Sequence, residues 1–195
     1  IFLCLIIAFI AGALAGIVTG ICHTVMGIPA ILAGILTQLI LWSLNLKILG
    51  KANLSISSRN YSVLLTSLNN PVAIAVALAF CALIIVLLFL FFYTEIGLSV
   101  KSTGDNADMS EAQGVNIKFN KVLGLAISNG IVALSGALLA QYQGFADINM
   151  GRGAIVIGLA AIIIGLSVSL KIKPNFVVSL IGVVGGGVAY YLVYT

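Results

Sequence analysis

The chain has 195 residues, of which 62% are hydrophobic and 7% charged, and its mean hydropathy is +1.25. A soluble domain carries roughly a quarter charged residues, so this composition excludes one. The net charge of +4 comes from basic residues scattered through short loops, and without a basic stripe there is no nucleic-acid surface.

Apolar runs recur along the chain, each near the roughly 20 residues that cross a bilayer as a helix. The short alternating segments of a transmembrane barrel are missing. The expected fold is therefore all-α, a polytopic helical membrane protein with the lipid bilayer as its solvent. The first span is expected over Ile1–Ile21, followed by a turn from His23 to Pro29 and a second span over Ile28–Leu44. A polar segment, Asn45–Asn70, carries Lys47, Lys51 and Arg59. The third span, Val72–Phe92, is opened by Pro71, where a missing N–H costs little.

A polar island comes next, Thr94–Lys121, reading TEIGLSVKSTGDNADMSEAQGVNIKFNK. It holds four of the five acidic residues (Glu95, Asp105, Asp108, Glu111) and three of the nine basic ones (Lys101, Lys118, Lys121). Asp108 and Glu111 have the spacing of a capping box, and Gly114 suits a left-handed stop. Together they predict a short helix over Asp108–Gln113, too short to be stable in water without contacts to the rest of the protein or to a partner.

The fourth span is expected over Val122–Ala140, followed by a loop with Gln141, Gln143, Asp147, Asn149 and Arg152, where Asp147 and Arg152 could pair. A fifth span covers Ala154–Leu170, a break falls at Lys171, Lys173 and Pro174, and a sixth span covers Phe176–Val193. The chain starts at Ile1 inside one apolar run and ends at Thr195 directly after another, which suggests a fragment of a longer protein. Lys and Arg near span ends barely orient it. With the island cytoplasmic, five basic residues lie inside and four outside.

Shifting the chain by 124 positions matches Gly12-Ala13-Leu14 to Gly136-Ala137-Leu138, Gly20 to Gly144, Met26-Gly27 to Met150-Gly151, Ala30-Ile31 to Ala154-Ile155 and Gly34 to Gly158. The second copy begins three spans after the first, so the repeat would be inverted, a recurring plan of transporters. Gly12, Gly16 and Gly20 form a small-residue ridge on one helix face, and Gly136, Ala140 and Gly144 form its counterpart. Gly182, Gly185 and Gly186 are expected to pack in the same way in the last span.

No catalytic constellation is present. His23, the only histidine, has no nucleophile or acid at a known spacing and is expected to be structural. Cys4, Cys22 and Cys81 lie in apolar runs without metal-like spacing. The phosphate-binding pattern G-x-x-x-x-G-K-[ST] is absent, so ATP, if used, is bound by another chain and no cofactor is expected in this one. Polar residues within or at the ends of spans are Thr37, Gln38, Asn129, Ser135, Gln141 and Gln143. Such groups face the bundle interior or a water-filled path, and Thr37, Gln38, Asn129, Gln141 and Gln143 are the candidates for a substrate path. Asn129 could bind substrate or bond across helices.

The run TGDNADMSEAQGVNI (Thr103–Ile117) resembles the cytoplasmic loop of ABC importer permeases of the branched-chain amino-acid and ribose permease superfamily. KVLGLAISNGIVALSGALLAQYQGFADINMGRGAIVIGLAAIIIG (Lys121–Gly165) resembles a poorly characterised subgroup linked in some bacteria to tryptophan or other aromatic amino acids. GALAGIVTGICHT (Gly12–Thr24) and LAGILTQLILWSLNLKILGKANLS (Leu32–Ser55) are similar to it as well. Beyond Gly165 the pattern departs: Leu166 stands where the subgroup commonly has an acidic residue, and the last span matches poorly.

The resemblance implies one transmembrane permease domain over 1–195, with 94–121 as a coupling loop inside it. It also implies a prokaryotic cell-membrane location, a second permease copy, a cytoplasmic ABC ATPase dimer and an extracytoplasmic substrate-binding protein. The ATPase-coupling residues it implies are Asp105, Asn106, Asp108, Met109, Ser110, Glu111, Ala112, Gln113 and Gly114, and it makes the island cytoplasmic. The function expected is ATP-driven import of a small solute, an amino acid or a related compound. The alternative is a secondary transporter working without ATP. No Asp, Glu, Lys or Arg lies mid-span to couple it to protons, though a Na⁺ site of carbonyls and hydroxyls is compatible with the sequence.

Overall fold

A computed structural model describes residues 2–55, 70–151, 153–172 and 176–194. The expectations for Arg59, Arg152, Lys173 and Pro174 lie outside the described residues. The elements are α1 (Phe2–Thr24), α2 (Ala30–Leu49), β1 (Asn53–Ser55), α3 (Asn70–Phe92), α4 (Glu95–Asp105), α5 (Ala107–Ala112), α6 (Ile117–Gln143), β2 (Phe145–Asp147), a 3₁₀ turn (Ile148–Gly151), α7 (Ala154–Ile172) and α8 (Phe176–Tyr194). Among the described residues, five stretches are long and apolar enough to cross a membrane: Leu3–Thr24, Ala30–Leu49, Ile74–Phe92, Ile117–Gln143 and Ile148–Ser167. The apolar stretch of α8, Val178–Val193, is shorter.

The chain is thus an all-α polytopic membrane protein, and its burial pattern runs opposite to that of a soluble domain. Thr19, Thr37, Thr103, Ser110 and Asn120 are buried, while Leu3, Ile31, Leu78, Val132 and Ile163 are among many large apolar side chains left exposed. Lipid solvates such side chains, and the polar groups must find partners inside. In the helices the threonines find them one turn back: Thr19 Oγ1 donates to the Ala15 carbonyl at 3.0 Å, Thr24 Oγ1 to Gly20 at 2.8 Å and Thr37 Oγ1 to Ala33 at 2.9 Å.

Two compact units emerge, Ile1–Leu78 with Phe91–Ile148, and Ala79–Leu90 with Asn149–Thr195. In the first, α1 and α6 form the most extensive interface and α2 rests chiefly on α1. The α1–α6 contact is backbone on backbone. A Cβ added at Gly12 would lie 2.6 Å from the Asn129 carbonyl oxygen, at Gly16 2.7 Å from Ala126 Cα, and at Gly20 2.8 Å from Val122 Cα. These pairings run in opposite directions along the two helices, so α1 and α6 are antiparallel. Gly130 returns the favour by receiving the Phe9 ring.

The ridge expected for the second copy is not seen among the described residues. Nothing among the described residues lies within 4 Å of a Cβ at Gly136, and Gly144 instead ends α6 in the left-handed conformation, φ 72°. Its N–H caps the helix by donating to the Ala140 carbonyl. The helix starts, by contrast, keep the register of the repeat: α2 begins at Ala30 and α7 at Ala154.

The turn after α1 is held by His23, whose Nδ1 donates to the Ile28 carbonyl at 2.7 Å, and by Gly27 at φ 69°. At the other end of the first unit, the polar segment after α2 and the loop after α6 pair as an antiparallel ribbon, Asn53 opposite Asp147, Leu54 opposite Ala146 and Ser55 opposite Phe145. In the second unit α7 packs on α8 through Gly165 and Gly186. A Cβ at Gly165 would run into the Gly182 carbonyl, and one at Gly186 into the Ala161 carbonyl. Gly185, expected to join them, faces open space among the described residues.

Candidate functional site

The island folds further than its sequence suggested. Thr94 caps α4: its Oγ1 accepts the Gly97 N–H at 3.2 Å and donates to the Phe91 carbonyl at 2.6 Å. The chain reverses so tightly here that a Cβ at Gly97 would lie 2.6 Å from Phe92 Cα and meet the Phe91 carbonyl oxygen as well. Only glycine fits such an approach. At its far end α4 passes directly into α5 through one extended residue, Asn106 (φ −152°, ψ 102°).

Asn106, and not Asp108, is the cap of the short helix. Its Oδ1 accepts the Met109 N–H at 3.0 Å, and the helix runs over Ala107–Ala112, with Gln113 outside it as the C-terminal cap. The reason is local. Asn106 holds the extended backbone an N-cap requires, while Asp108 already sits in the first turn, where its charge suits the helix dipole. The stop is as expected, with Gly114 at φ 82°. Its N–H donates to the Glu111 carbonyl at 2.9 Å and the Val115 N–H to the Ser110 carbonyl at 3.1 Å, the paired bonds of a Schellman motif.

The helix α6 then begins at Ile117, earlier than the predicted fourth span. Asn116 caps it, its Oδ1 accepting the Phe119 N–H at 3.1 Å. Lys118, Asn120 and Lys121 are thereby helical residues rather than loop residues.

A connected set of polar side chains joins the three helices. Asn120, 5% exposed, donates both amide hydrogens to α4, to Ser99 Oγ at 2.8 Å and to Thr103 Oγ1 at 2.9 Å. Thr103 Oγ1 donates onward to the Ser99 carbonyl at 2.8 Å, as does Ser102 Oγ at 2.9 Å. Ser110, the one buried residue of α5, donates to the Asn106 carbonyl at 2.9 Å and lies 3.3 Å from Ser102 Oγ. With Ser110 turned inward, Asp105, Asn106, Asp108, Met109, Glu111, Ala112, Gln113 and Gly114 are all exposed. Met109 stands out among them, an apolar side chain 60% exposed between two carboxylates.

The substrate-path candidates are more dispersed. Thr37 is buried and bonded within α2, with Gln38 exposed beside it. Asn129 lies half-buried in α6, its Nδ2 donating to the Leu125 carbonyl at 2.9 Å, so among the described residues its amide bonds within its own helix and not across helices. Ser135 likewise donates to the Val132 carbonyl. Gln141 is half-buried and Gln143 exposed in the last turn of α6. Because α2 and α6 each rest on α1 and share no extensive interface, these residues are not gathered into one site. Among the described residues, no group of three or more His, Cys, Asp or Glu could hold a metal ion.

Sequence reasoning missed Asn120, Ser99, Ser102 and Thr103. The available signal was the spacing of Ser99 and Thr103, four apart and so on one helix face, once α4 is recognised as a helix.

Against known families, residues 1–195 match the model for the permease component of branched-chain amino acid transport systems. A tyrosine transport system permease protein of Clostridioides difficile (strain R20291) is 41% identical over 185 residues, covering 95% of this chain and 61% of that protein. An uncharacterized protein of Rickettsia prowazekii (strain Madrid E) is 36% identical over 172 residues, covering 88% of this chain and 61% of that protein. The chain thus spans about three-fifths of the length of these curated relatives. No solved structure matches significantly.

Proposed function

The chain belongs to the family of permease components of branched-chain amino acid transport systems, and on that premise we propose that it forms part of the membrane-spanning subunit of an ATP-driven importer in a prokaryotic plasma membrane. In this reading the chain holds no nucleotide and performs no chemistry. An ATPase dimer on the cytoplasmic side supplies the energy, a second permease copy completes the path, and an extracytoplasmic binding protein delivers the solute. The solute class is an amino acid, by likeness to the relative named for tyrosine transport.

The observation that carries the proposal is the display of α5. A six-residue helix has no independent stability, yet this one is capped at both ends and anchored by Ser110. Its outer surface is left to Asp108, Met109, Glu111 and Ala112. Such a rigid, exposed, one-sided element suits docking into a groove on a soluble partner, with Met109 as the apolar anchor and the carboxylates at the rim. Movement of that partner on binding ATP would displace α5 and, through it, the spanning helices.

The test is to introduce Glu111→Lys or Ala112→Arg in the full transporter and measure co-purification of the ATPase together with ATP-driven uptake of tyrosine and tryptophan. The charge reversal and the bulky cation on the outer face should each reduce both. Normal values for both variants would overturn the assignment of α5.

A further inference from the structure

We propose that Asn120 is a positioning residue that fastens α4 and α5 to α6, so that a displacement imposed on α5 reaches the spanning helices as the movement of one body. The inference rests on the reading of α5 as the ATPase-facing element and adds the part that transmits its motion.

The problem is mechanical. Beyond its link to α4, α5 has little of its own with which to push, since its packing against α6 is slight compared with that of α4 against α6. The chain on its far side, Gln113–Asn116, leaves the helix through a glycine stop. Displacement of α5 therefore travels chiefly through α4, provided that α4 is fixed to α6.

Asn120 supplies that fixing. It sits in the first turns of α6 and spends both Nδ2 hydrogens on two hydroxyls of α4, one turn apart on a single face. Thr103 Oγ1 cannot swing away from it, because its own proton is committed to the Ser99 carbonyl. Asn120 and Thr103 are both buried, at 5% and 6% exposure, so water does not compete for these bonds. Ser110 joins the set from α5 through Ser102. The same set contains no charged group, so it holds without dependence on salt or pH. From α6 the path continues into α1 through the backbone contacts at Gly12, Gly16 and Gly20.

The signature expected is uncoupling rather than loss of assembly, because the outer surface of α5 is untouched. Asn120→Leu keeps the approximate shape and removes the donors. In proteoliposomes containing the complete transporter with its ATPase and binding protein, ATP hydrolysis and amino-acid uptake are measured on one sample. The ATPase should co-purify in normal proportion and hydrolysis should continue, while solute moved per ATP falls on the order of tenfold, the worth of two net hydrogen bonds. Thr103→Val combined with Ser99→Ala removes the same bonds from the other side. It should reproduce the loss and add little to it in combination with Asn120→Leu.

Three outcomes overturn the inference: unchanged solute per ATP in assembled Asn120→Leu; parallel loss of hydrolysis and uptake in a variant that still holds its ATPase, which marks a merely structural residue; or full additivity of the two sets. If Asn120→Leu does not assemble, the Thr103→Val, Ser99→Ala pair carries the test alone. Failure of the parent reading looks different: there Glu111→Lys leaves ATPase binding and uptake normal.

Discussion

Replacing Gly16 by alanine probes the contact on which the first unit is built. The added Cβ would lie 2.7 Å from Ala126 Cα and against the Leu125 carbonyl oxygen. Carbon atoms attract best at roughly 3.5–4.0 Å, so the two helices must separate by about 1 Å. A gap of that size forfeits on the order of a quarter to a half of the dispersion attraction along the ridge. Membrane helices have no hydrophobic drive to compensate, because lipid is as apolar as the interface. The expected cost is the overpacking range, about 1–3 kcal/mol. For a chain of this size that corresponds to a Tm lower by roughly 2–4 °C for each kcal/mol. Gly136→Ala is the internal control: it sits within α6 with nothing described inside 4 Å, so the substitution should be neutral or stabilise by up to about 1 kcal/mol through helix propensity. The assay is thermal unfolding in mild detergent, or SDS titration in mixed micelles, of both variants beside the parent. Equal effects of Gly16→Ala and Gly136→Ala would refute the backbone contact between α1 and α6.

Asn106→Ala should cost about 1 kcal/mol of local stability, seen as faster amide exchange across Met109–Glu111, whereas Asp108→Ala should change that exchange little; the reverse order would restore Asp108 as the cap. Gly186→Leu should separate α7 from α8 and lower stability by about 1–3 kcal/mol, while Gly185→Leu should be tolerated; equal effects by thermal unfolding would remove the packing assignment. With the native cysteines replaced, Asn53→Cys and Asp147→Cys should form a disulfide on mild oxidation and shift mobility on a non-reducing gel, since paired residues bring their Cα atoms about 4.5–5.5 Å apart. Absence of that bond, with Leu54→Cys and Phe145→Cys crosslinking instead, would mean a different register.

The spanning helices were legible because hydrocarbon imposes its own length and composition, and no other class of protein carries such runs. The Gly12, Gly16 and Gly20 ridge was legible for a similar reason, since only small residues let two backbones meet. Its counterpart was not. Gly144 obeys the four-residue spacing yet serves as a left-handed cap, and the spacing of glycines alone does not separate a packing face from a helix end. The stop at Gly114 was readable from a local rule, while the cap was misplaced by two residues because Asn106 and Asp108 both satisfy that rule and only backbone conformation decides between them. The helix α4 was hidden by its Ser, Thr and Gly, residues that read as loop until Asn120, distant in sequence, gives their hydroxyls a partner. The ribbon of β1 and β2 went unread because a pairing of segments so far apart leaves no trace in either one.

That ribbon makes α2 unlike the other helices of its unit. At its start α2 follows the turn held by His23, and its buried residues, Ala33 and Thr37, lie in its first half. At its end the chain is caught again by β2. Between those points its flank is lined with exposed apolar side chains such as Leu39, Ile40 and Leu44. A rod held at both ends resists both sideways pull and rotation about its own axis, so the freedom left to it is bending of the stretch between, where its exposed apolar flank meets lipid. Such bending would change the surroundings of the exposed polar side chains on that rod, Gln38 next to the buried Thr37 among them.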